Sequence, residues 1–404
     1  DNYIFIKLLY CLVHVHGNEI IGIQIFIYKF LEVKHMFWKK RVAQVPADYY
    51  MNIDIKPINN NASPNAKKLL RFLGECYGKK ILTGQYVNSY DSYLTKDCYK
   101  NKETGEFDVF LAKELQAVHS VTEEYPAVLG LDLLGIVEGW DNASVEQAIK
   151  WHENGGIVTL CWHWGKGIKK PREFYTKRTD FSLKKALKNK NSVLYKSLIE
   201  DIDLISEAIK PLCEKDVPIL WRPLHEASGG WFWWGHSGAK PYKELWKIIY
   251  DRMVNYHKLD NLLWVWNGQN PKWYVGDEMC DIIGDDPYYM YNKREYYEKD
   301  KCNKARFADA YATSKNKIIA MSENDFVPDI DTVFSENSGW VMFATWARDF
   351  VCKNKIAPDG TPIPFEITEE YNERCTTAEE LRRAYNHPAS VTLAQLREIG
   401  YIAE

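Results

Sequence analysis

From about residue 64 onward, short apolar runs alternate with amphipathic helical stretches, and this alternation constrains the fold more than any other feature. Eight runs read as strands: 80–86, 126–133, 156–164, 218–226, 261–268, 281–289, 317–325 and 340–347. Between them, 65–77, 144–153, 192–214 and 242–257 carry apolar residues at helical spacing, with Ser144 read as an N-cap. Near-continuous apolar strands alternating with helices require a parallel sheet covered on both faces. The count of eight favours an α/β fold closed as a (β/α)8 TIM barrel in a single catalytic domain. An open doubly wound sheet is the alternative, but no Gly-rich phosphate loop follows the first run.

Residues 1–60 do not fit the alternation, and neither does the tail after about 350, apart from short helices expected at 377–385 and 392–399. The expected organisation is an N-terminal segment of unclear status over 1–60 and a catalytic domain over 61–404. Starting at Asp1 rather than Met, the sequence reads as a processed chain or a fragment. Residues 3–31 are apolar, but Lys7, His14, His16, Glu19 and Lys29 interrupt them, so a transmembrane helix is not expected.

At 404 residues the chain is long enough for one large barrel. A net charge of −3 leaves no basic stripe of the kind that binds nucleic acid. Nine scattered cysteines show no CxxC or Cys/His spacing for structural zinc. The odd count leaves at least one thiol unpaired within the chain. Asn61 and Asn142 open glycosylation sequons, which are common by chance.

Polar residues gather where the strands end, the face on which barrels build their sites. The fourth run closes as Trp221-Arg222-Pro223-Leu224-His225-Glu226, followed by Ala227-Ser228-Gly229-Gly230 and then Trp231-Phe232-Trp233-Trp234. The seventh ends in Ser322-Glu323-Asn324-Asp325, the third in Trp162-His163-Trp164 and the sixth in Asp285, Asp286, Tyr288 and Tyr289. Glu226 and Glu323 each terminate an apolar run, a costly position for a carboxylate unless it is paired or used. Flat rings beside a carboxylic acid suit a sugar: rings cover its C–H faces and the acid protonates a glycosidic oxygen. Retaining glycoside hydrolysis needs two such carboxyl groups close together. Arg222 and Glu226, four apart, share a face of a regular strand, so Arg222 can hold one of the carboxylates. His225 points away unless the strand ends there, as the following loop suggests.

Each residue also has a plain structural reading. A strand-end Glu can pair with a buried Arg, His163 can be a core histidine, and Asp285-Asp286 can form a turn or hold a cation. A metal-dependent barrel hydrolase needs three or more His, Asp or Glu ligands, and the first run, ILTGQY, contains no histidine. No metal or organic cofactor is expected.

The fourth-run motif with Gly229-Gly230-Trp231 resembles the acid/base strand of glycoside hydrolase family 26, the β-mannanase family, including His before the Glu. The resemblance extends over about residues 65–350, through Thr83-Gly84-Gln85, Trp162-His163, Asp286-Pro287-Tyr288, Ser322-Glu323 and Trp346. It implies Glu226 as general acid/base and Glu323 as nucleophile. It also implies Arg222, His225, His163, Trp231, Asp286, Tyr288 and Trp346 as substrate-binding or site-lining residues. The expected function is retaining endo-β-1,4-mannan hydrolysis. A β-glucanase or xylanase of the same family, or a non-catalytic polysaccharide-binding barrel, are the alternatives. The expected partner is a β-mannan polysaccharide, with no nucleic acid or membrane, for a secreted monomer.

Overall fold

The computed structural model describes residues 44–88, 94–140, 143–167, 172–289 and 293–400. The apolar 3–31 stretch, the pair His14 and His16, and the Asn142 sequon lie outside them. Seven short strands form one parallel sheet in chain order: β1 (Gly84–Tyr86), β2 (Val128–Asp132), β3 (Ile157–Cys161), β4 (Ile219–Arg222), β5 (Leu262–Trp266), β6 (Ile282–Asp285) and β7 (Ile318–Met321). Every residue of these strands is buried, as a sheet covered on both faces requires.

The eighth run closes the sheet without forming a regular strand. Val341 N–H donates to Ile319 O at 2.9 Å and Met321 N–H to Met342 O at 3.0 Å on the β7 side. On the β1 side, Thr345 N–H donates to Gly84 O at 3.1 Å and Tyr86 N–H to Thr345 O at 2.9 Å. Gln85 reinforces the seam, its Nε2 donating to Thr345 O at 3.1 Å. Gly84 is required by this closeness, since a Cβ there would lie 2.3 Å from Phe343 O. The outcome is a (β/α)8 barrel.

The helices follow the apolar spacing. Pro64–Cys76, capped by Ser63, buries Ala66, Leu69, Leu70 and Leu73. Val193–Glu214, capped by Ser192, buries Leu198, Ile202, Ile205, Ile209 and Leu212. The stretch 242–257 divides into Ala239–Tyr250 and a π-helical turn, Asp251–Tyr256. Ser144 is the first residue of helix Ser144–Glu153 rather than its cap. Its hydroxyl instead donates to Asp132 O at 2.7 Å, tying the helix to the end of β2.

The tail holds an antiparallel pair that apolar spacing does not reveal, Cys352–Ile356 with Pro362–Tyr371. The helices Ala378–Tyr385 and Leu393–Ile399 follow, each opened by a Thr capping box. Residues 44–60 lack regular structure but are tied to the chain beyond residue 60. Ile58 N–H donates to Asp281 Oδ1 at 2.8 Å, and Asp54 N–H to Asn316 O at 2.8 Å.

Candidate active site

The carboxyl ends of the strands surround a cleft of about 360 Å³ whose walls include Glu226, Glu323, His163, His225, Tyr288 and Trp346. Strand β4 delivers Arg222 at its last residue and then breaks. Leu224 and Glu226 take φ values of 55° and 52°, the left-handed region that non-Gly residues seldom adopt outside constrained sites. This sharp turn brings Glu226 and His225 to the cleft, as the loop-like continuation led us to expect. Two hydrogen bonds hold the Glu226 N–H, to Asn267 O at 2.8 Å and Asn267 Oδ1 at 3.0 Å.

Arg222 is fully buried under the cleft and is shared by two carboxylates. Its Nη1 donates to Asp286 Oδ2 at 2.8 Å, while Nη2 donates to Glu323 Oε1 and to the Tyr86 hydroxyl at 3.1 Å. Tyr288 O–H donates to the other Glu323 oxygen at 2.9 Å. Asp286 Oδ1 accepts from Asn267 Nδ2 and from the Ser322 hydroxyl, both at 2.7 Å. A guanidinium that satisfies two buried carboxylates fixes both, because any other arrangement leaves a charge unpaired.

Carboxylate oxygens of Glu226, Asp286 and Glu323 all lie within 4.8 Å of one another. That crowding separates the protonation of the two glutamates. Burial, then the charges of Asp286 and Glu323, push Glu226 well above the usual carboxylate range. Its side-chain donor is neutral, the Trp231 indole N–H at 2.9 Å. Burial also pushes Glu323 up, to about 7, but there the Arg222 guanidinium opposes it. Glu226 therefore holds the proton of the pair and Glu323 ionises first. Three oxygen ligands at this spacing also match a cation site in geometry, but Arg222 already supplies the positive charge.

His163 and His225 line the same cleft. Their Nε2 atoms lie 3.2 Å apart, and His163 Nδ1 meets Asp132 Oδ2. Burial, with His163 and Arg222 adding to it, holds His225 well below the ordinary histidine value, so the ring is neutral. Burial raises Asp132, but His163 and the N–H groups of His163 and Leu134 outweigh it and keep it below the usual range. The Trp346 ring packs 4.8 Å from that of Tyr86 and 5.8 Å from that of His163.

All nine sequence-selected residues thus converge on one site, Trp231 through its hydrogen bond to Glu226. The aromatic run divides. Trp231 is 44% exposed, whereas Trp233 and Trp234 are buried and cannot meet a polymer. Their indoles lock the loop instead, donating to Trp164 O at 2.6 Å and His225 O at 2.8 Å. Sequence reasoning missed Asp132, Tyr86 and the cleft rings Phe174 and Tyr175. Only the adjacent Phe174-Tyr175 pair in a loop offered a signal.

The profile of glycosyl hydrolase family 26 matches residues 58–357. The chain is 35% identical over 314 residues to a mannan endo-1,4-beta-mannosidase of Thermothelomyces thermophilus, covering 72% of this chain and 57% of that relative. The chain therefore spans little more than half the length of that protein. Among solved structures, a Podospora anserina GH26-CBM35 β-(1,4)-mannanase superposes with TM-score 0.67 at 32% identity, over 87% of this chain and 70% of that one. A β-mannanase from a symbiotic protist of the termite Reticulitermes speratus, complexed with gluco-manno-oligosaccharide, gives TM-score 0.68 at 27% identity, over 85% and 98%.

Proposed function

The chain belongs to glycosyl hydrolase family 26, and from that premise we propose that it is a retaining endo-β-1,4-mannanase acting on mannan, glucomannan or galactomannan. The observation that carries this reading is the pair of glutamates with oxygens within 4.8 Å, of which Glu226 holds its proton to higher pH than Glu323. Retaining enzymes place their carboxyl groups about 5–5.5 Å apart, whereas inverting enzymes leave about 6.5–9.5 Å for a water.

Protonated Glu226 donates its proton to the glycosidic oxygen as that bond breaks. Ionised Glu323 attacks the anomeric carbon and holds the glycosyl group as an ester. Glu226, now a carboxylate, takes a proton from water, whose oxygen displaces Glu323 and regenerates both groups. Arg222 and Tyr288 hold Glu323 in its attacking orientation. Asp286 anchors Arg222 and, by its charge, favours the proton on Glu226. His163 and His225 contact the sugar at the cleavage point, while Trp231 and Trp346 stack on neighbouring units. The names of the similar mannanases support the mannosyl substrate. A polymer of this kind does not enter cells, so the enzyme acts outside them.

The test is a panel of mannan, mixed-linkage glucan and xylan, with product sizes and with proton NMR of the first-formed anomer. Endo-type cleavage of mannan with retained configuration is expected. Glu226→Ala and Glu323→Ala should each abolish most turnover and still bind polymer. Inverted product, or near-normal turnover by either variant, would sink the mechanism. Preference for glucan or xylan would reassign the substrate.

A further inference from the structure

The antiparallel pair after the barrel presents an aromatic ring that the barrel core does not use. Phe365 is 63% exposed, although burying a phenyl ring is favourable. Its backbone has φ of 67°, and the strand register shifts between Pro362 and Ile367. Such irregularities in a strand re-aim a side chain. Here the ring lies over the Arg348 guanidinium, 4.9 Å from carbon to centroid. Arg348 in turn lines the catalytic cleft together with Glu226 and Glu323.

The frame that holds this ring is braced. The Arg348 N–H donates to the buried carboxylate of Glu114 at 3.1 Å, and the same oxygen accepts from Asn88 N–H at 3.1 Å. Lys113 Nζ donates to Ile367 O at 2.6 Å, and Asn372 Nδ2 to Asp349 O at 2.7 Å. Beside Phe365 in sequence, Glu366 pairs with Lys355 at 3.3 Å. Both line a second cavity, of about 350 Å³, which also includes Asn88 and Tyr99. An exposed ring suits a pyranose, whose C–H face covers the ring.

We propose that Phe365 is a stacking platform for a glycosyl unit of the substrate remote from the cleavage point. The occupant is a further unit of the polymer in the cleft, because Arg348 joins the platform to that cleft. This inference rests on the mannanase reading.

The test compares kcat/KM of wild type, Phe365→Ala and Phe365→Trp on linear β-1,4-manno-oligosaccharides from trimer to hexamer. One aromatic contact of about 1 kcal/mol corresponds to roughly fivefold. Phe365→Ala should stay within about twofold of wild type on the trimer and lose roughly fivefold on the hexamer, mainly through KM. Phe365→Trp should restore the hexamer rate. Equal loss at every length, or no loss at any, overturns the platform. If wild type leaves manno-oligosaccharides intact, the mannanase reading fails separately. The same length series, in cello- or xylo-oligosaccharides that wild type cuts, then decides the platform.

Discussion

Replacing Arg222 with Met tests whether this guanidinium sets the protonation of the site or only its shape. Methionine keeps much of the side-chain volume but removes the positive charge shared by Glu323 and Asp286. At an effective dielectric constant of about 20, two unit charges about 4 Å apart interact by roughly 4 kcal/mol. That amounts to about three pH units in the ionisation of Glu323. Relaxation of the site and entry of water once the guanidinium is gone offset part of that loss. The net rise above its present value of about 7 is therefore smaller, about one to two pH units.

The sign follows from the mechanism. Attack needs ionised Glu323, so the acidic limb of kcat/KM against pH moves upward. At pH 6, below both values, each unit of that move costs about tenfold in rate. The variant should also lose about 3–5 kcal/mol of stability in urea titrations, because two buried carboxylates lose their partner. An acidic limb that stays in place, with kcat/KM lowered equally at every pH, refutes the electrostatic role and leaves Arg222 a spacer.

Stability itself should depend on pH in the less usual direction. Burial raises Asp281, Asp285 and Asp325 to about 6, and Glu323 to about 7, so the folded chain holds protons that the unfolded chain has released. Their contribution is complete below about pH 4 and is lost as pH climbs to about 7, so the urea midpoint should fall between pH 5 and pH 8. A midpoint rising over that range contradicts it. Gly84→Ala should destabilise the barrel by about 1–3 kcal/mol or more, since its Cβ would lie 2.3 Å from Phe343 O at the closing seam. An unchanged melting temperature would show that the seam yields.

Much of the site was legible because a strand end is a local feature. Glu226 and Glu323 stood out as charges ending apolar runs, and Arg222 as a third charge four residues before one of them. The runs themselves announced the parallel sheet, since a strand buried on both faces has no room for alternation. Helix positions followed from apolar spacing for the same reason. The tail pair was silent, because its residues are largely exposed and follow neither period.

Pairing across strands and the fate of each ring depended on the fold. Nothing near Asp132 indicates that it buttresses His163, a residue from the next strand. Likewise, Trp231, Trp233 and Trp234 look alike in sequence, yet one is exposed beside Glu226 and two are loop anchors. Ser144 looked like a helix cap and proved to be a tie to β2. The order of ionisation of the two glutamates was also beyond sequence. It depends on which one the Arg222 guanidinium reaches, and that depends on where β4, β6 and β7 place their ends around the barrel. Which residues carry charge and which segments bury themselves can be read along the chain, because those properties belong to single residues and short periods. Which charges meet follows from the folded arrangement, because Coulomb energy and hydrogen bonding depend on distances between residues far apart in the chain.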